Sequence, residues 1–201
     1  MVDAQPWTLE TVRKFINTKN IEEQTDTLTT PDNLAGWLDS HRLTKERPKV
    51  DEESLKGFLT IREGLRSLAL LNNRTKFDAG SLREFRELVN GCMLRVNISD
   101  DGELLVEPEG NELERLEGSL LLELHRSMVV GTWSRLKACQ NEDCQEAFYD
   151  ESRNHSRKWC DMAEGNKMKA RRHLSRKRSA EISSISRSGR KSGLKGRPMA
   201  V

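Results

Sequence analysis

Three of the chain's four cysteines fall within 22 residues, spaced Cys139-x4-Cys144-x15-Cys160. In a reducing compartment, thiols clustered in this way are read as metal ligands before disulfide partners. Zinc suits them, because thiolate is a preferred ligand. Binding the ion also offsets the entropy of ordering a loop with little apolar core of its own. The plainer alternative is three unrelated buried cysteines, each behaving as a small hydrophobe. A closed structural zinc site takes four ligands, and no cysteine follows Cys160. An open fourth position would also suit catalytic zinc, but that reading requires a general base and a substrate pocket. Glu142, Asp143 and Glu146 read as a solvated charged loop. No catalytic residue is assigned, and the chain is expected not to be an enzyme.

The second chemical signal is charge. Residues 1–130 hold 17 Lys+Arg against 24 Asp+Glu, net −7, and residues 131–201 hold 17 against 8, net +9. Such asymmetry points the C-terminal third toward a polyanion. Lys167, Lys169, Arg171, Arg172 and Arg176 crowd a stretch nearly free of acids. If a helix spans 166–177, Lys169, Arg172 and Arg176 share one face, and cations so arrayed neutralise phosphates. Arg153, Arg157 and Lys158 add charge from the preceding loop. The competing reading is a solvated basic face, or a tail docked on the chain's own acidic part.

The elements that must position these residues are mostly helical. Thr30-Pro31 is a start signal, a hydroxyl cap followed by proline at the first helical position. Leu55, Phe58, Leu59, Leu65, Leu68 and Ala69 recur with helical period over 52–71. Ser81 is expected to cap a short helix carrying Leu82, Phe85, Leu88 and Val89. Between Cys92 and Glu107 the pattern changes to MLRVNI and ELLVE around Asp101-Gly102, which predicts a β-hairpin. Cys92 is expected to be buried in its first strand. A long helix is expected from about 111 to 136, with Leu113, Leu116, Leu120, Leu121, Leu124 and Met128 on one stripe, leading straight into the cysteines. From about 175 onward, Ser, Lys, Arg and Gly dominate, a composition expected to stay disordered. No apolar run reaches the roughly 18 residues of a membrane span, and the start MVDAQPWTLE lacks a signal peptide's regions, so no membrane contact and a cytoplasmic location are expected.

The stretch Phe148-Tyr149-Asp150, Ser152-Arg153-Asn154, Arg157-Lys158-Trp159-Cys160 and Met162 resembles the C-terminal zinc finger known as CGNR. Phe15-Ile16-Asn17-Thr18, Asp26-x-Leu28, Pro31 and Leu34-x-x-Trp37-Leu38 resemble the ABATE domain that usually precedes it. The resemblance covers about residues 12–175. It implies a helical N-terminal domain, a treble-clef-like finger, and a stress-induced transcriptional regulator that binds DNA rather than RNA. The family's Cys-Gly-Asn-Arg is here Glu164-Gly165-Asn166-Lys167, so the fourth cysteine is missing. Glu164 can ligate, since carboxylate is an acceptable though harder zinc ligand. Otherwise His155 or His173 swings in, or the site is degenerate and zinc is weak or lost.

The combined expectation is a mostly α chain with a small β-hairpin. It comprises a helical domain over 1–132 for sensing or homo-oligomerisation, a finger with basic helix over 133–175 whose core is separate, and a disordered basic tail over 176–201. The expected ligands are Cys139, Cys144, Cys160 and Glu164. The nucleic-acid contacts are Arg153, Arg157, Lys158, Lys167, Lys169, Arg171, Arg172 and Arg176. A protein-interaction adaptor with a degenerate finger is the alternative, and a zinc-dependent hydrolase a more distant one.

Overall fold

The computed structural model describes residues 7–171, 173–175 and 177. Helix α1 (Leu9–Ile16) starts at Thr8, whose hydroxyl accepts from the Thr11 amide, and buries Val12, Phe15 and Ile16. A two-residue ladder, β1 (Lys19–Asn20) with β2 (Thr25–Asp26), turns the chain into α2 (Pro31–Ser40), and Thr30 caps α2 as its sequence predicts. Trp7, Phe15, Trp37 and Phe58 pack their rings 5.3–6.3 Å apart where these elements meet α3 (Glu52–Asn72). Such aromatic contacts each add to the burial of large apolar surfaces.

Helix α3 is the central beam. Its periodic face buries Leu55, Phe58, Ile61, Leu65 and Ala69, and α1, α2 and α4 (Ala79–Gly91) all pack on it. The approach of α4 is so close that a Cβ at Gly64 would stand 2.2 Å from the Phe85 ring, so glycine is required there. Asp78, not Ser81, caps α4. Its carboxylate accepts from the Gly80 amide and the Ser81 hydroxyl, and a carboxylate one residue before the helix outcompetes a serine already inside it.

The hairpin forms as expected, β3 (Leu94–Ile98) with β4 (Leu104–Pro108), turning at Gly102 with φ +80°. Leu94, Val96 and Ile98 stand opposite Pro108, Val106 and Leu104 in register. They therefore form one apolar face, on which Val96, Ile98 and Leu104 are 60–72% exposed. Cys92 lies not in the strand but at the C-cap of α4, half-buried, because the helix runs to Gly91 before the chain extends.

Asn111 and Glu114 form a reciprocal capping box at the start of α5 (Glu112–Val130). The helix ends six residues earlier than the apolar spacing suggests. Gly131 adopts φ +85°, a left-handed stop that glycine reaches without a Cβ penalty. Met128 is exposed and leaves the buried stripe. A 3-10 turn (Trp133–Arg135) leads into β5 (Leu136–Ala138), which pairs antiparallel with β6 (Ala147–Tyr149). Trp133, Leu136 and Ala147 belong to the main hydrophobic core along with Phe15, Phe58 and Leu120. Among the described residues the finger's strands therefore share the main core, where a separate one was expected from sequence. Residues 7–160 lie in one compact unit, and the second begins at Asp161 with a helix, α6, over 162–171 and again at 173–175 and 177. The expected disordered tail lies, apart from Lys177, outside the described residues. No helix among the described residues is long and apolar enough to cross a membrane.

Two arginines on α3 are almost wholly buried. Arg62 makes a two-point pair with Asp26 (2.8 and 2.7 Å) and reaches Thr18 and Glu63. Arg66 donates to the carbonyls of Ile16 (2.6 Å), Lys19 (3.1 Å) and Gln145 (3.0 Å), and to Glu63. The planar guanidinium spreads five donors over a fixed fork and so spans acceptors too far apart for a single ammonium nitrogen. Arg66→Leu strands three carbonyls and the Glu63 charge. It is expected to cost about 3–5 kcal/mol, with Arg66→Lys recovering only part, both read from urea midpoints at constant m-value.

Candidate metal centre

The cysteine loop is a tight turn on the β5–β6 hairpin. Ala138 pairs with Ala147, and the Cys139 amide then donates to the Glu146 carbonyl at 2.9 Å. The amides of Cys144 and Gln145 both donate to the Asn141 carbonyl at 3.0 Å, and Gln145 takes φ 51° to close the loop. This brings Cys139 and Cys144 together from the two arms. Cys160 arrives on a return segment held by α3. The Asn73 side-chain amide donates to the carbonyls of Ala138 (2.7 Å) and Lys158 (2.9 Å), while the Gln140 backbone amide donates to Lys158 O at 3.1 Å.

The three sulfurs lie within 4.8 Å of one another, with Cys144 Sγ 3.6 Å from Cys160 Sγ, and none is in a disulfide. A tetrahedral zinc site with 2.3 Å bonds spaces its sulfurs about 3.8 Å apart, so the donor set fits three corners of such a site. Hydrogen bonds from the Cys144 and Cys160 thiols lower the pKa of Cys139, helped by the backbone amides of Asn141 and Cys160. Sharing with Cys139 pushes Cys144 and Cys160 up. His155, an expected alternative ligand, is not among the clustered donors and points its backbone to Lys137 instead.

Below the cluster lies a buried ion pair. Lys137 Nζ donates to Asp150 (2.6 Å) and to the carbonyls of His155 (2.6 Å) and Arg157 (3.2 Å). Asp150 also accepts from the Ser152 amide and hydroxyl and from the Arg157 amide. Burial raises its pKa, but Lys137 and Ser152 outweigh that and hold the carboxyl at about 2. The 150–157 loop is therefore folded around one carboxylate. Sequence reading flagged Asp150 only as part of a motif and missed Lys137, since a lysine flanked by Leu136 and Ala138 looks like an outward strand position. It also missed Asn73, and it held Asn17 only as part of the Phe15-Ile16-Asn17-Thr18 motif. The Asn17 side chain donates to Ala147 O (2.9 Å) and accepts from Ala147 N (2.7 Å), which extends the small sheet by one amide. Polar helix-end residues of this kind carry no sequence mark of the distant backbone they serve.

The expected nucleic-acid contacts fall into groups. Arg157 is engaged internally: its guanidinium donates to the carbonyls of Trp159 and Cys160 and covers the Phe148 ring at 4.9 Å. Arg153 and Lys158 are exposed, with no side-chain ion pair among the described residues. On α6, Asp161 caps the helix through the Glu164 amide (2.7 Å), and Glu164 pairs with Lys167 at 2.6 Å. Lys169 and Arg171 are exposed on α6, while Arg172 and Arg176 lie outside the described residues.

A family model described as CGNR zinc finger matches residues 135–177. A second, ABATE, described as "Putative stress-induced transcription regulator", matches residues 10–129. No curated protein matches the chain.

Asp150 lies inside the first match, and its role is testable by acid titration. Its folded pKa of about 2 is below the ordinary 3.8 of an aspartate. The stability it contributes is therefore complete above about pH 4 and lost as pH falls toward 2. Asp150→Asn leaves the Lys137 ammonium buried without its counter-ion. The variant is expected to lose about 3–5 kcal/mol at pH 7 and to show a flatter acid limb in pH-dependent urea unfolding.

Proposed function

The chain belongs to the ABATE family, and from that footing we propose that it is a DNA-binding transcriptional regulator that acts through its cysteine module and basic helix, without catalysing a reaction. The observation that carries the reading is the division of charge, net −7 over residues 1–130 against +9 over 131–201. It is joined to exposed cations on α6 and on the loop before Cys160. Lys and Arg on such a surface neutralise phosphates and release counterions. The acidic helical part would be repelled by DNA and is left to sense an effector or to pair with a second copy.

Zinc is the metal this donor set favours, held by Cys139, Cys144 and Cys160 with Glu164 as the fourth ligand. Bound there it would supply a structural cross-link rather than a reaction centre. Because Trp133, Leu136 and Ala147 share the main core, loss of the metal should be felt by the helices too. Cys144→Ser is expected to release zinc and lower the melting temperature of the helical signal, and Glu164→Cys to tighten zinc binding. Stoichiometric zinc in a variant lacking all three cysteines would remove the assignment.

DNA binding should be mainly electrostatic. Replacing Lys169, Arg172 and Arg176 with Ala is expected to shallow the slope of log affinity against log salt by about 0.9 for each phosphate that is no longer neutralised. Titration of labelled duplex at several salt concentrations reads this. The adaptor alternative, which the missing fourth cysteine favours, predicts no DNA affinity even at low salt.

A further inference from the structure

Beside the metal centre, where the C-terminal end of α3 meets the 154–158 loop, is a cavity of about 500 Å³. No Asp or Glu lines it. Its rear wall is Lys137, whose ammonium is already matched by Asp150. The uncompensated charge comes from Arg74 and Lys158, both exposed and without an ion pair among the described residues. Asn154, His155 and Ser156 add polar side chains that make no hydrogen bond among the described residues. A wet, cationic, acid-free recess of this kind disfavours apolar ligands and suits an oxyanion.

The backbone fixes where Arg74 stands. Helix α3 ends in a two-bond reversal: the Thr75 amide donates to Leu70 O at 3.2 Å and the Arg74 amide to Leu71 O at 2.9 Å. The residue at that position must be left-handed and is usually glycine. Here it is Arg74, with φ 53°, and across the cavity His155 is left-handed as well, with φ 48°. Helix α2 ends by the same two bonds with Arg42 left-handed at φ 55°, so the turn is a helix-end device, and at the end of α3 it sets the Arg74 side chain at the cavity.

We propose that this cavity is a phosphate-binding site, with Arg74 and Lys158 supplying the charge and Asn154, His155 and Ser156 the hydrogen bonds. Its natural occupant is a backbone phosphate of DNA. The identity of the occupant rests on the DNA-binding reading above; the phosphate chemistry does not.

The test uses the full zinc-loaded chain and the variants Arg74→Gly, Lys158→Gln and their double. Labelled duplex is titrated at several salt concentrations, and inorganic phosphate is titrated separately by calorimetry. Each single variant is expected to weaken duplex binding, and the double, which leaves that one phosphate without its cations, to shallow the salt slope by about 0.9. Arg74→Gly should melt no lower than wild type, which separates a binding defect from a folding defect. If wild type binds duplex and the double variant matches it in affinity and slope, the cavity proposal is overturned and the DNA reading stands. If wild type ignores duplex but inorganic phosphate saturates it and not the double variant, the DNA reading fails. The cavity then holds, with a free phosphate as its occupant. If inorganic phosphate and duplex both fail to distinguish wild type from the double variant, the cavity is not a phosphate site.

Discussion

The C-terminal half of α3 has to satisfy backbone that no sheet serves. The cysteine loop and the segment returning to Cys160 are irregular, and their buried carbonyls would be costly if left unpaired. Arg66 takes Gln145 O, Asn72 takes the carbonyls of Trp133 and Leu136, and Asn73 takes those of Ala138 and Lys158. These side chains place the three sulfurs as surely as the hairpin does. Remove the platform and the turn retains only a three-pair ladder, too short to stand alone.

Burial of two arginines in so small a chain is the cost of that arrangement. Each guanidinium is fully engaged, Arg62 by carboxylates and a hydroxyl, Arg66 by carbonyls and a carboxylate. Charge so enclosed specifies geometry more than it adds stability, because desolvation offsets much of the Coulombic gain. The same logic governs Lys137 and Asp150 beneath the metal centre. The finger-like region is organised by ion pairs and carbonyl caps, with few apolar contacts of its own.

Much of this was legible in the sequence where the signal is local. Thr30-Pro31 marks a helix start, Asp101-Gly102 marks a hairpin turn, and the periodicity of α3 gives both its length and its buried face. The cysteine spacing correctly predicts a cluster. What could not be read is long-range or competitive. Val129, Val130, Trp133 and Leu136 keep helical spacing, and only the left-handed freedom of Gly131 breaks the helix. Arg62 and Arg66 look like surface charges until α1 and the cysteine loop are folded over them. Asn17, Asn72 and Asn73 serve carbonyls 61 to 130 residues away, a relation no window of sequence displays.

Those separations have a consequence in time. The Asn17 amide pairs with Ala147, 130 residues later, and links between such distant positions are slow to form because loop closure precedes any reward. As the chain is synthesised from its N-terminus, α1, α2 and α3 emerge and can pack before the first of the three clustered cysteines exists. The thiols then meet a prepared surface rather than one another in open solution. A chain permuted to begin at the cysteine hairpin would keep every native pairing and forfeit that sequence of events.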